Sequence, residues 1–114
     1  MDLFECQSIP VPLSPEAGTG EILFWPNWLP QLEADDLLET AINKTVWRQD
    51  NIRIVGKTIP LPRLQNWFGD PKTSYTYSGI RLQAVDFPDW MDRLRVSVER
   101  QTQTPFNRAL VNYY

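Results

Sequence analysis

The chain has 114 residues, of which 42% are hydrophobic, and a formal net charge of −3 at pH 7. A chain of this length holds one domain, and its hydrophobic content excludes wholesale disorder. It contains no histidine, which excludes a Ser-His-Asp triad, a Cys-His pair and an imidazole-bound metal. It contains one cysteine, Cys6, which excludes a structural zinc site and an internal disulfide.

The single cysteine favours a reducing compartment. No apolar run approaches the roughly 20 residues that span a bilayer. The N-terminus lacks the basic flank and the apolar core of a secretory signal. We therefore expect a cytoplasmic protein with no membrane partner.

The charges are distributed unevenly along the chain. Residues 1–43 contain eight acidic residues and no Lys or Arg, whereas residues 44–114 contain all eleven basic residues and six acidic ones. This second part is compatible with contact to a phosphate backbone. An excess of this size also fits an ordinary solvated surface, so charge alone leaves both interpretations open.

The N-terminal third is predicted to contain a tail, a strand and a helix. Residues 1–20 are expected to form a Pro-rich extended tail, because Pro10, Pro12 and Pro15 fix their backbone angles. Residues 21–114 form the predicted domain, beginning with a strand at 21–25. A helix is predicted after Leu29-Pro30, and its apolar stripe predicts core packing. The stripe consists of Ala34, Leu37, Leu38, Ala41 and Ile42. Residues 44–47 are predicted to begin a strand.

The middle of the chain is predicted to be extended. Residues 52–55 and 57–59 indicate a β-hairpin with Gly56 at its bend. A turn is predicted at residues 68–71, followed by extended segments at 75–77 and 80–84 that are separated by Ser78-Gly79.

A second helix is predicted from about Pro88 to Thr102, followed by a terminal strand at residues 107–114. The predicted buried face of this helix consists of Trp90, Met91, Leu94 and Val98. Its Arg93, Arg95, Glu99 and Arg100 are predicted to be largely solvated.

Residues 54–77 have the composition of a surface that binds an extruded nucleobase. Ile54 and Val55 at a hairpin tip, flanked by basic residues, suit a wedge with phosphate anchors. Tyr75 and Tyr77 alternate, so in a strand they share one face, where bases can stack. The competing interpretation is that the aromatic residues are simply core, which is their commonest use. It applies to Trp67, Phe68, Tyr75 and Tyr77.

The order and spacing of several short motifs resemble the AlkB family. Pro62-Arg63, Gly69-Asp70 and Tyr75-x-Tyr77-Ser78-Gly79 resemble its Pro-Arg, Tyr-Gly-Asp and Tyr-x-Phe/Tyr-Ser-Gly motifs. Phe106-Asn107 and the segment from Leu110 to Tyr114 resemble its Phe-Asn and Leu-x-Asn-x-Tyr strand. The resemblance covers roughly residues 22–114. This family comprises iron(II)- and 2-oxoglutarate-dependent dioxygenases that oxidatively demethylate alkylated nucleic acid bases.

The resemblance implies a fold class and a set of site residues. The fold would be α+β, namely the N-terminal helices and strands of a double-stranded β-helix (jelly-roll) dioxygenase, incomplete, with residues 21–114 forming its nucleotide-recognition part. Asn112 and Tyr114 match positions that hydrogen-bond 2-oxoglutarate. The matches to the substrate base pocket are Tyr75, Tyr77, Ser78 and Arg63, and the matches to the duplex finger are Ile54 and Val55. The finger tip is aliphatic where some relatives have Phe, and Phe68 stands where relatives often have Tyr.

The same resemblance implies Fe(II) and 2-oxoglutarate as cofactors of the complete family enzyme. The family's His-x-Asp pair and distal His have no counterpart in this sequence, so we expect no catalytic or metal-binding residue here and no cofactor held by this chain alone. The expected partners are alkylated DNA or RNA and a separately encoded C-terminal half.

Three hypotheses follow from these observations. The first is a truncated AlkB-like dioxygenase that carries the substrate-recognition part and is inactive alone. The second is a free-standing module that binds nucleic acid without catalysis. The third is a small α+β interaction domain in which all the aromatic residues are core.

Overall fold

The computed structural model describes residues 5–69, 74–77 and 80–114, except the side chains of residues 74–77 and 80–82. The described residues form short strands and two helices, a mixture that confirms the predicted α+β class. In chain order the elements are β1 (Gln7–Pro12), β2 (Thr19–Phe24), α1 (Gln31–Lys44), β3 (Asn51–Ile54), β4 (Lys57–Pro60), β5 (Leu64–Gly69), β6 (Ser74–Tyr77), β7 (Ile80–Gln83), α2 (Asp89–Thr102) and β8 (Arg108–Tyr113).

The described strands associate in antiparallel pairs. The pairs are β1 with β2, β3 with β4, β5 with β8, and β6 with β7. The chain divides into two compact units, Met1–Leu38 and Glu39–Tyr114. The first unit contains the β1–β2 hairpin, and the second contains the other three strand pairs.

Residues 7–12 of the expected tail are extended, as predicted, but they are paired, since β1 forms a ladder with β2. The backbone N–H of Leu13 donates to the Gly18 carbonyl at 3.0 Å. By the same alternation, the odd-numbered residues of β1 direct their backbone N–H and C=O groups towards β2. Pro10 and Pro12 therefore occupy outward positions, where a missing N–H costs no ladder hydrogen bond. The domain boundary after residue 20 stays a prediction.

Helix α1 forms where the sequence predicts it, but its apolar stripe packs less tightly than expected. No residue of α1 is fully buried, and Leu38 is 61% exposed. The strand predicted at residues 44–47 is wrong. The helix continues to Lys44, and Trp47 turns back to donate from Nε1 to the Ile42 carbonyl at 3.0 Å.

Helix α2 and strand β8 confirm the predictions for the C-terminal part. The helix follows Pro88 and ends at Gln103, whose φ of 54° is left-handed. Met91 is its fully buried residue. Arg95, predicted to be largely solvated, is half-buried: its Nε donates to Asp92 Oδ1 at 3.0 Å and its guanidinium lies 5.0 Å from the centre of the Phe87 ring.

The core lies around β5, the most buried of the strands whose side chains are described. Strand β8 pairs with one edge of β5, and single bridges from Arg48 and Val85 cover the other edge. Leu61, Trp67 and Ala84 form a buried cluster, against which Ile52 packs. Neither helix in the described part of the chain is long and apolar enough to cross a bilayer.

Candidate nucleic-acid interface

Val55 is the most exposed large hydrophobic residue among the described residues of the second unit, and it lies at the tip of a strained turn. Strands β3 and β4 form the predicted hairpin, with Ile54 opposite Lys57; we call residues 51–60 the finger hairpin. Val55 and Gly56 have φ values of 48° and 77°, the pattern of a type I′ turn. Val55 is 96% exposed. A β-branched residue in this region is a genuine outlier, and such strain is found most often at functional positions.

Replacing Val55 by asparagine is expected to stabilise the protein by about 1 kcal/mol, because asparagine adopts left-handed backbone angles more readily than valine. Urea denaturation followed by tryptophan fluorescence measures this change. Thr58→Asn is the matched control, since Thr58 is exposed in β4 outside the turn, and it should give no increase. A Val55→Asn variant that is no more stable than the parent would show that the turn stores no strain.

Two exposed cations flank the tip. Arg53 lies opposite Thr58 in the hairpin ladder, and Lys57 lies opposite Ile54. Both side chains are exposed, and neither forms an ion pair with any residue that the structure describes. The finger hairpin therefore presents aliphatic surface between positive charges, which suits a phosphate backbone beside a gap in a base stack.

The second group of predicted residues lies along β8. Tyr113 packs its ring edge-on against Trp47, with the ring centres 5.5 Å apart. Because side chains alternate along a strand, Asn112 is directed to the opposite face from Tyr113. Asn112 is exposed and Tyr114 is 83% exposed. An amide and a phenol hydroxyl in this position can both donate hydrogen bonds to a carboxylate.

The predicted base-pocket residues are described less completely. Arg63 is half-buried directly before β5. Tyr75 and Tyr77 occupy alternate positions of β6, opposite Leu82 and Ile80 in the ladder, but their side chains lie outside the described residues. Ser78 also lies outside them, as do Asp70 and Pro71 of the predicted turn.

Two of the four clustered aromatic residues belong to the core. Trp67 is 7% exposed and Phe68 is 4% exposed, so the competing interpretation is correct for both. In the β5–β8 register Trp67 is opposite Leu110, and Phe68 is opposite Ala109. The loss of a tyrosine hydroxyl at position 68 therefore leaves an apolar ring at a buried site.

Sequence reasoning missed a polar cluster at the base of the finger hairpin. Gln65 is fully buried in β5, and its Nε2 donates to Asp50 Oδ2 at 3.0 Å. The other carboxylate oxygen of Asp50 accepts from the Arg48 guanidinium at 2.9 Å. Adjacent polar residues, Gln65 and Asn66, in an otherwise aromatic strand were the available signal for buried polar contacts.

A cavity on the Phe68 side of β5 was also missed. Its volume is about 310 Å³, and it is lined by Lys44, Val46, Asn66, Phe68, Val85, Asp86, Pro88 and Trp90. The Asn66 amide donates to the Val46 carbonyl at 2.7 Å, and its oxygen accepts from the Trp67 N–H at 2.8 Å. The amide is thus already occupied by structural hydrogen bonds.

The residues present do not fit an iron site. The sequence has no histidine, and no group of three or more Cys, Asp or Glu side chains converges among the residues that the structure describes. 2-Oxoglutarate is a different case, since Asn112 on β8 and Tyr114 directly after β8 are accessible donors.

Comparisons with known proteins agree with the resemblance that the sequence motifs indicate. The profile of the 2OG-Fe(II) oxygenase superfamily matches residues 21–114. The chain is 32% identical to mouse alpha-ketoglutarate-dependent dioxygenase alkB homolog 3 over 107 residues, which cover 91% of this chain and 36% of that protein. Human DNA oxidative demethylase ALKBH2 is 31% identical over 85 residues, covering 72% of this chain and 33% of that protein.

The chain thus spans about a third of the length of these relatives. The superfamily fold is the jelly roll, of which the described residues form only a part. The match over residues 21–114, together with the AlkB-like relatives, shows that this chain belongs to the 2OG-Fe(II) oxygenase superfamily.

Proposed function

We propose that this chain carries the base-recognition part of an AlkB-like dioxygenase that demethylates alkylated DNA, and that it does not catalyse the reaction alone. The observation that carries the proposal is the finger hairpin. This chain belongs to the superfamily, and its Val55 is exposed in a strained turn between two exposed cations. Two relatives with similar sequences bear the names of a dioxygenase and a DNA demethylase.

The finger hairpin supports the first step, extraction of the base. A base must leave the duplex stack before its alkyl group is accessible, and an apolar wedge lowers the free energy cost by filling the gap. Val55 and Ile54 provide the wedge, while Arg53 and Lys57 hold the adjacent phosphates. The Val55 side chain is 96% exposed, so almost all of its apolar surface is available for contact with a base stack.

The remaining residues hold the base and the co-substrate. We assign Arg63, Tyr75, Tyr77 and Ser78 to the pocket of the extruded base, and Asn112 and Tyr114 to hydrogen bonds with 2-oxoglutarate. When bound, iron and 2-oxoglutarate supply the oxidising power. The iron ligands come from residues outside these 114, in a longer polypeptide or in a second chain, because this sequence contains no histidine.

The isolated chain, supplied with Fe(II), 2-oxoglutarate and methylated duplex, is expected to consume no 2-oxoglutarate. In an active longer polypeptide with this sequence, Asn112→Ala should raise the KM for 2-oxoglutarate about tenfold, the effect of losing one hydrogen bond to a charged group. Tyr77→Ala should instead raise the KM for the methylated duplex. The reverse pattern in steady-state kinetics would contradict both assignments.

A second candidate is a free-standing module that binds nucleic acid without catalysis. The absence of histidine favours it. It predicts salt-dependent binding by the isolated chain, with no gain of activity when the missing superfamily residues are supplied.

A further inference from the structure

Asp50 connects three segments at the base of the finger hairpin. It lies immediately before β3, and its backbone carbonyl accepts from the N–H of Leu61, immediately after β4, at 2.9 Å. Its carboxylate accepts from Gln65 at 3.0 Å and from Arg48 at 2.9 Å. One residue therefore closes both ends of the hairpin and ties them to β5.

The Gln65 side of this connection is rigid. Gln65 is fully buried in β5, and its backbone exchanges hydrogen bonds with Arg48 at 2.9 and 3.1 Å. A carboxylate only accepts hydrogen bonds, so the amide must direct its NH₂ group towards Asp50. Gln65 is also the cross-strand partner of Asn112. The contact thus joins the finger hairpin to the strand pair that carries Asn112.

In the part of the chain that the structure describes, the finger hairpin is anchored mainly at its base. A two-stranded hairpin with four residues in each strand is marginally stable by itself. Seven of the eight residues in β3 and β4 are exposed, and Ile52 is the one that packs against the core cluster. At the base, Leu61 is buried in the core cluster and its carbonyl accepts from the Gln49 amide at 3.0 Å. These contacts hold the C-terminal end of the hairpin, and the Asp50 carboxylate, which accepts from Gln65 and Arg48, holds its N-terminal end.

We propose that Asp50 is a positioning residue that sets the angle between the finger hairpin and the β5–β8 sheet, so that Val55 enters the duplex while the extruded base reaches the sheet. The inference rests on the proposed function, but the angle can be measured without nucleic acid. No residue of the predicted base pocket or 2-oxoglutarate site is required for this role.

The first experiment measures the hairpin direction. Spin labels are placed at Thr58→Cys and Asn107→Cys, two exposed positions, in a background with Cys6→Ser. Pulsed dipolar spectroscopy is expected to give a narrow distance distribution for the parent and a broader or shifted one for Asp50→Ala. Asp89→Ala, which removes an exposed carboxylate elsewhere, should match the parent. Identical distributions for the parent and Asp50→Ala would overturn the proposal.

The second experiment links the angle to binding. Asp50→Ala is expected to weaken duplex binding about fivefold and single-strand binding by less than about twofold. Adding Val55→Ser to this variant should weaken duplex binding no further, because both changes act through the finger hairpin. Losses that multiply, or equal losses on single strands, would overturn the proposal. If the parent does not distinguish duplexes from single strands, the proposed function fails while the distance measurement still decides the role of Asp50. Asp50→Asn, which keeps the side-chain volume, replaces Asp50→Ala if the alanine variant unfolds.

Discussion

Replacing Trp67 by alanine is expected to lower the free energy of unfolding by about 3–5 kcal/mol. Trp67 is buried in β5 and forms the core cluster with Leu61 and Ala84. Removing its ring leaves a cavity at the centre of a small domain, whose total stability is commonly only about 5–15 kcal/mol. Thermal or urea unfolding followed by circular dichroism measures the loss.

Tyr114→Ala is the matched control for this variant. It also removes an aromatic ring at the β5–β8 sheet, but Tyr114 is 83% exposed. Its expected effect is within about 0.5 kcal/mol of zero. Equal losses in the two variants would contradict the assignment of Trp67 to the core and of Tyr114 to an accessible surface.

Neutralising the two cations of the finger hairpin is expected to weaken duplex binding about tenfold at low salt. Arg53 and Lys57 are exposed, and each phosphate contact contributes about 0.9 to the slope of log affinity against log salt. The double variant Arg53→Gln with Lys57→Gln should therefore bind with a slope that is shallower by about 1.8. Fluorescence anisotropy titrations at several salt concentrations give both quantities.

A charge-matched control separates this effect from a general change in net charge. Arg93 and Arg100 are exposed on α2, and replacing both by glutamine changes the net charge equally. Their replacement should leave the slope nearly unchanged. If the α2 variant loses as much affinity as the hairpin variant, the finger hairpin is not the phosphate-binding surface.

The elements that local sequence predicts well are those with a local physical cause. Gly56 places a turn between two short extended segments, and the hairpin forms there. Pro88 precedes a helix with an apolar face, and α2 forms over Asp89–Thr102. Both depend on backbone angles and side-chain periodicity within about fifteen residues.

The features that local sequence could not predict depend on distant contacts. The β1–β2 ladder forms despite Pro10 and Pro12 because β2 bonds to the odd-numbered residues of β1. The ladder therefore needs no N–H from either proline. The Asp50–Gln65 contact joins residues fifteen positions apart, and its existence depends on the path of the finger hairpin. Burial likewise separates Trp67 in β5 from Tyr114 directly after β8, although both are aromatic residues.

The most direct test of the central claim compares the binding of this chain to two DNA duplexes that differ in one base. One duplex contains a single 1-methyladenine, whose methyl group blocks Watson–Crick pairing and so lowers the cost of extrusion. We expect tighter, salt-sensitive binding to the methylated duplex, and loss of this preference in Tyr77→Ala. Equal affinity for the two duplexes, or no salt-sensitive binding at low ionic strength, would contradict the central claim.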